Sequence, residues 1–315
     1  MKPLVWDNHG CLPLRCEPDF MPELRRYSQA GVDVVSINVT FDLIEPEAGL
    51  GVARYFADWI SNQDDMYVPL SASDLTGNQG KRLAVVFDIE GAGAVEHNLD
   101  LLHDYAALGV RTVSAVYNQP NGIGGGCVAH DDGLTDLGRA FVRRAEAAGV
   151  VVCCSHTGYR TARDIVAVSS QPVVCSHSNP LALHEHPRNV PDDLIRLIAQ
   201  TGGVIGINGV GIFLGENDTS TATLIRHISY IAELVGVEHV GIGLDFAFDE
   251  RELEGFLQSN PHLFPRDIYG DTLEIVEPER IPTLARALSD AGFTATERDL
   301  VMGGNWHRIA QTVWP

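Results

Sequence analysis

No stretch of this 315-residue chain approaches the roughly 20 consecutive apolar residues that a membrane-spanning helix needs. Basic residues are scarce: 22 Lys and Arg stand against 42 Asp and Glu, a formal net charge of -20. That balance repels phosphate backbones and anionic lipid, so neither a nucleic acid nor a membrane partner is expected. The six cysteines form no CxxC pair. Cys153 and Cys154 are neighbours on a strand-like run whose side chains alternate between faces, so no disulfide framework is expected and the thiols read as reduced. MKPLVWDNHG runs into strand-like sequence without the n-region and h-region of a signal peptide, which makes a cytoplasmic location the expectation. The chain also lacks GxxxxGK[ST] and GxSxG, which leaves the glycine clusters GIGGGC (122–127) and EGAGAVE (90–96) as flexible loops and gives a serine nucleophile little support.

With 45% hydrophobic and 20% charged residues the composition is that of a globular protein. Eight short β-rich runs recur: residues 3–6, 32–40, 83–90, 110–117, 150–156, 172–177, 202–208 and 239–245. Stretches of helical period lie between them, among them 96–109, 136–149, 191–202 and 221–236. Apolar strands alternating with helices predict an α/β fold with a parallel sheet covered on its outside, and eight units predict a (β/α)8 TIM barrel; a doubly wound open sheet is the alternative. No Pro/Ser-rich linker interrupts the pattern, so residues 1–315 are expected to form a single domain. From Arg251 onward a longer loop and then helices, with TATE (294–297) as a capping box, are expected to close over the barrel.

In such a barrel the chemistry sits at the C-terminal ends of the strands. There the chain places Asp7 and His9, Asn38, Glu90, Tyr117 and Asn118, His156, His177, Asn208 and Asp245, strand by strand. Each has an ordinary reading alone: a cap, a turn residue, a histidine bonded to a carbonyl. Together, imidazoles and carboxylates at one mouth are a ligand set that zinc accepts, and a bridging carboxylate lets two metals share one water. His9-Gly10-Cys11 is either half of a metal site or a core histidine beside a buried thiol. His130, His184 and His186 lie in loops near the mouth and stay undecided, and the remaining histidines read as helical, strand-start or loop residues.

SHTG (155–158), SHSNP (176–180), HPRNVPDDL (186–194), GIGLDF (241–246) and MGGNW (302–306), with FDIEG (87–91) upstream, resemble the renal or membrane dipeptidase family, zinc-dependent (β/α)8-barrel enzymes of the amidohydrolase type, in a divergent bacterial form. The resemblance implies that Glu90 bridges two zinc ions, that His156 and His177 bind one and His9 the other. It further implies that Arg188 holds the substrate's free carboxylate and that Asp245 moves the proton between the bridging water and the leaving amine. The substrate would be a dipeptide or related amide, and a homodimer is the family's habit. Two residues depart from the family pattern. Cys11 replaces an aspartate in the His-x-Asp motif of the first strand; as a thiolate it would remain a metal ligand, as a neutral thiol it would leave a single zinc at His156, His177 and Glu90. Tyr117 replaces a histidine held to contact the oxyanion; its phenol could donate there, or it could fill space beside Asn118 where another substrate binds. A non-peptide cyclic amide, a lactone, an N-acyl amino acid, or a barrel that binds without catalysis are the alternatives these departures raise.

Overall fold

Leu83–Glu90 is buried from end to end and Val34–Phe41 nearly so, which explains why both read as unbroken apolar runs: helices cover one side of each strand and the barrel interior the other. A computed structural model describes residues 3–77, 82–270 and 272–315. Its strands are β1 (Trp6–Cys11), β2 (Val34–Phe41), β3 (Met66–Tyr67), β4 (Leu83–Glu90), β5 (Val110–Ser114), β6 (Val151–Cys153), β7 (Ile205–Ile207), β8 (Val240–Ile242) and β9 (Phe246–Ala247). They form one parallel sheet in the order β6-β5-β4-β2-β1-β8-β7, with β3 beside β4 and β9 beside β1. The run at 172–177 joins the two ends: Val174 bridges Cys153, and Cys175 bridges Ile205. Cys154 N–H donates to Val174 O at 2.8 Å and Gly206 N–H to Cys175 O at 2.7 Å, so the sheet curls into a ring. The approach is close enough that a Cβ on Gly206 would lie 2.0 Å from Ser176 O, which only glycine avoids.

All eight predicted runs thus take places in the barrel, but their bounds shift: 110–117, 150–156, 202–208 and 239–245 are strand only over Val110–Ser114, Val151–Cys153, Ile205–Ile207 and Val240–Ile242. The first was expected to end at residue 6, whereas β1 spans Trp6–Cys11, because Gly10 pairs with Ile37 and Cys11 with Ala247 of β9 and so prolongs the ladder. His9 and Cys11 therefore stand on a strand and not in a loop. Helices Asp136–Ala147, Asp192–Gln200 and Thr221–Val235 fall where the periodicity places them. The stretch at 96–109 is helical only over Leu101–Ala107, since Glu96 is drawn away to Gly122 N–H and Asn98 Oδ1 accepts from Asp100 N–H in a local turn.

The C-terminal part covers both ends of the barrel, not one. The expected loop after Arg251 is instead a helix, Glu250–Ser259, started by Asp249 accepting from Glu252 N–H at 3.1 Å. Beyond it Leu263, Phe264 and Tyr269 pack on Val210 and Phe213 over the C-terminal mouth. At the opposite face the last helix, Asn305–Val313, lays Trp306 and Ile309 on Leu4, Trp6, Val34 and Val204, with Trp314 stacked edge-on to Trp6 at 5.7 Å. Trp306 Nε1–H donates to Ile242 O at 3.0 Å, and Asn305 Nδ2 bonds Val237 O and Val240 O at 2.8 Å each, which accounts for GGNW as a clasp on the strand starts. Thr294 and Glu297 form the expected capping box. No helix among the described residues is long and apolar enough to cross a membrane.

Truncating the clasp removes a buried indole and leaves Ile242 O without its donor. Trp306→Ala is expected to lower unfolding free energy by about 3–5 kcal/mol in urea titration; a loss below about 1 kcal/mol would show that the helix is not seated on the barrel floor as described.

Candidate active site

A register shift between Asp7 and Gly10 breaks the alternation of β1: Asp7 turns to Tyr27 and accepts from Leu244 N–H at 2.8 Å, away from the place at the mouth expected of it, while His9 and Cys11 share a face, and Asp88 and Glu90 of β4 do so by ordinary alternation. These faces meet inside the barrel mouth, and the residues following β6 and Cys175 bring His156 and His177 to them. Glu90 Oε1 lies 3.2 Å from His9 Nε2, 3.2 Å from His156 Nε2 and 3.4 Å from His177 Nε2. All four residues are buried. The other ring nitrogens are already engaged. His9 Nδ1–H donates to Asp88 at 3.2 Å, and His177 Nδ1 pairs with Ser176 Oγ at 2.7 Å. Asn118 Nδ2 donates to Leu263 O, which turns Asn118 Oδ1 toward His156 Nδ1–H at 2.8 Å. His156 is thereby held in the tautomer that leaves Nε2 as a lone pair, and the Asp88 contact holds His9 so that its Nε2 would be the lone pair once a cation takes the place of the proton there.

Burial, then Arg188, brings the pKa of His156 down to about 4, and burial followed by the charge of His9 holds His177 well below its ordinary value. For His9 burial is outweighed by Asp88 and Glu90, which raise it well above the usual range; for Glu90 burial is outweighed by His9 and His156, which keep the carboxylate ionised. One proton on His9 thus does what a cation would do more fully. His156 Nε2 and His177 Nε2 face each other at 2.9 Å, a contact between two nitrogens with lowered basicity that a shared cation would relieve. Three ligand groups span no more than 4.8 Å each: Glu90, His156 and His177; His9, Cys11 and Glu90; and His9, His177 and Asp245. Glu90 belongs to the first two groups, so the donor set fits a pair of cations sharing one carboxylate.

Cys11 Sγ lies 3.5 Å from His9 Nε2 and 3.6 Å from Asp245 Oδ1. Burial pushes its thiol up, so only a bound cation would make it a thiolate here. Asp245 is aimed by Asn208, whose Nδ2–H donates to Oδ2 at 2.9 Å and leaves Oδ1 facing the cluster. Asn118, His156 and Asp245 hold left-handed backbone at φ of 58°, 67° and 61°. Such conformations cost about 1–3 kcal/mol apiece for non-glycine residues and mark positions whose aim the fold enforces.

A cavity opens from this cluster, lined by Arg188, Tyr117 and Asp245 together with Val210, Phe213 and Phe264. Arg188 is 3% exposed, lies over the Phe213 ring at 5.3 Å, and donates from Nη2 to His156 Nε2 at 3.0 Å. That lone pair serves one partner at a time, the guanidinium or a cation. Tyr117 stacks on His156 with ring centroids 4.3 Å apart; burial, then Glu90, keeps its phenol protonated. Asn118 takes a place other than the substrate-facing one expected of it: it is fully buried, spent on His156 and Leu263, and absent from the cavity wall. Sequence reasoning missed Asp88, although its spacing of two from Glu90 signals the shared face. It also missed Asp42, which accepts from Tyr117 N–H at 2.9 Å and Gly93 N–H at 2.6 Å and so sets the Tyr117 loop. His130 is exposed beside Asp132, whereas His186 is buried against Phe213 and Tyr269 and its Nδ1 accepts from Arg188 N–H.

Residues 47–260 match the model of the membrane dipeptidase family, peptidase family M19. An uncharacterized protein in the pqqA 5′ region of Klebsiella pneumoniae is 30% identical over 260 residues, covering 78% of this chain and 88% of that protein. An uncharacterized dipeptidase of Schizosaccharomyces pombe is 35% identical over 179 residues, 54% of this chain and 42% of its own length. Among solved structures, an amidohydrolase from Pseudomonas aeruginosa shares the fold with a TM-score of 0.88 at 24% identity, over 99% of this chain and 97% of that one. A metallo peptidase of Rhodobacter sphaeroides, liganded with a phosphinate mimic of the dipeptide L-Ala-D-Ala, does so with a TM-score of 0.80 at 21% identity over 99% of each chain.

The Asp88 contact has a measurable consequence. Asp88→Leu keeps the branched shape but removes the acceptor of the His9 Nδ1 proton, so the ring is no longer held with Nε2 toward the cluster. Divalent-metal affinity, read by chelator competition, is expected to fall about 10- to 100-fold; an unchanged affinity would mean that His9 takes no part in metal binding.

Proposed function

The chain belongs to the membrane dipeptidase family, peptidase family M19, and on that premise we propose that it is a two-zinc hydrolase cleaving a dipeptide, or a closely related amide with a free carboxylate, at the cluster around Glu90. The observation that carries this reading is Arg188. Its guanidinium is buried, opens on the cavity that Glu90, His156 and Asp245 also line, and meets no carboxylate among the described residues. A buried charge of that kind calls for an anionic partner, and a planar fork suits a carboxylate.

Glu90 would be shared by two ions, with His156 and His177 on one side and His9 and Cys11 on the other. Bound there, zinc lowers the pKa of a water towards about 7 and polarises the carbonyl under attack. The chain's own residues do the rest. Arg188 holds the substrate's terminal carboxylate and so fixes the distance from that end to the scissile bond. Asp245 Oδ1, steadied through Asn208, accepts the proton of the attacking water and returns it to the leaving nitrogen. Tyr117, at the same wall and held protonated, donates its hydroxyl hydrogen to the carbonyl oxygen as charge builds on it.

Zinc per chain, measured by elemental analysis on wild type and Cys11→Ala side by side, tests the ligand assignment. Two equivalents falling to one are expected; one equivalent in both proteins would reduce the site to a single zinc at His156 and His177. Arg188→Ala is expected to lower kcat/KM on dipeptides about 100-fold or more with zinc content retained. A loss no greater than that of a surface substitution would remove Arg188 from substrate binding.

A further inference from the structure

The cavity at Arg188 is the smaller of two that meet at the cluster. It encloses about 80 Å³, whereas a second chamber encloses about 280 Å³, and Cys11, Glu90 and Tyr117 line both. The scissile bond, placed at Glu90, therefore sits at a junction, with Arg188 down one branch and the larger chamber down the other. The larger chamber is walled by Leu12, Leu14, Phe41, Ile44, Leu253 and Phe256. Phe41 meets Tyr117 and Phe256 edge-to-face, each at 5.4 Å, so the wall is continuous with the site and set by packing. Apart from Glu90 at the junction, the charged residues of its wall are Asp249 and Glu252. Asp249 and Glu252 line the mouth and share Arg15 with Glu17, at 3.8 Å for Asp249 and 3.2 Å for Glu17, Glu252 being hydrogen-bonded to the same guanidinium. One guanidinium among three carboxylates leaves surplus negative charge at the mouth of an apolar chamber.

We propose that this chamber receives the acyl side of the substrate and selects dipeptides with a bulky apolar N-terminal residue, whose free ammonium lies toward the acidic rim. The assignment rests on the dipeptidase reading above. The apolar walls take the side chain, whose transfer from water favours leucine or phenylalanine over glycine. The rim favours the ammonium of a dipeptide over the uncharged end of a simple acyl chain, a choice made by charge at the entrance.

The test is kcat/KM of the zinc-loaded protein on Gly-Ala, Ala-Ala, Val-Ala, Leu-Ala and Phe-Ala, with 4-methylpentanoyl-alanine as the analogue of Leu-Ala lacking the amine. Leu-Ala and Phe-Ala are expected to exceed Gly-Ala about 10-fold or more, and Leu-Ala to exceed its desamino analogue. Ile44→Trp, which fills the chamber from a residue outside the metal cluster, is expected to lower the ratio of kcat/KM on Leu-Ala to that on Gly-Ala about 10-fold, with zinc content retained. Phosphinate mimics carrying glycine or leucine on the acyl side give the same comparison as Kd, with the leucine form about 10-fold tighter. Rates and affinities indifferent to the acyl residue overturn the chamber assignment and leave the dipeptidase reading standing. A desamino analogue that matches Leu-Ala overturns the role of the rim. No turnover of any dipeptide together with no binding of any phosphinate mimic overturns the dipeptidase reading itself.

Discussion

Three imidazole nitrogens directed at one carboxylate oxygen, out of contact with bulk water, are the constraint on which this molecule depends. Glu90 Oε1 lies within 3.4 Å of Nε2 of His9, His156 and His177. Each ring is held from behind, by Asp88, Asn118 or Ser176, so none can turn away without losing a buried hydrogen bond. The four residues come from β1, β4, the turn after β6 and the segment beyond Cys175. They meet only when the sheet has closed on itself. The backbone bonds across Cys154, Val174, Cys175 and Gly206 are thus part of the site as much as of the fold: without the ring, His156 and His177 have no fixed relation to His9.

Stability and strain are kept at opposite ends of the barrel. The N-terminal ends of the strands are sealed by an apolar cluster of Trp6, Val34, Val204, Trp306 and Trp314, where the hydrogen bonds of Asn305 and Trp306 tie the last helix to the strands. The C-terminal ends carry the left-handed backbone of Asn118, His156 and Asp245, the buried charges and the guanidinium of Arg188. Polar groups converging in a dry mouth oppose folding, and the sealed floor offsets them. The cover over the mouth, by contrast, is a helix with no fully buried residue, Glu250–Ser259, followed by short segments. Such a cover can vary in sequence without disturbing the ring beneath it.

The barrel was legible because parallel strands buried on both sides leave continuous β-branched runs, and because the residues just past them break the apolar rule together. Glu90, His156, His177 and Asp245 could be picked out by place alone. The extent of β1 was not legible, since WDNHGC owes its last pairings to β9, a partner more than 230 residues away. Nor was the apolar wall formed by Leu253, Phe256 and Phe264, whose spacing on a short helix and loop carries no sign of what it faces. Asn118 was legible as a polar residue at a strand end, but its direction was not. An amide there can face the cavity or the ring behind it, and the carbonyl of Leu263, contributed from the far end of the chain, decides.

Cys11 and Tyr117, the two departures from the pattern of the resembling family, both stand on the wall common to the two chambers. Relative to an aspartate and a histidine, a cysteine and a tyrosine raise the apolar area of that junction. Phe41 packs on Tyr117 from the large chamber, and Tyr117 packs on His156 from the other side, so the phenol links the apolar wall to a candidate metal ligand in a single stack. Bound to a cation, Cys11 is a thiolate of the same charge as an aspartate, and it sets a soft donor within reach of His9. Cys11, Tyr117 and the apolar chamber thus act together, making the junction less polar while leaving Glu90, His156, His177 and Arg188 in place.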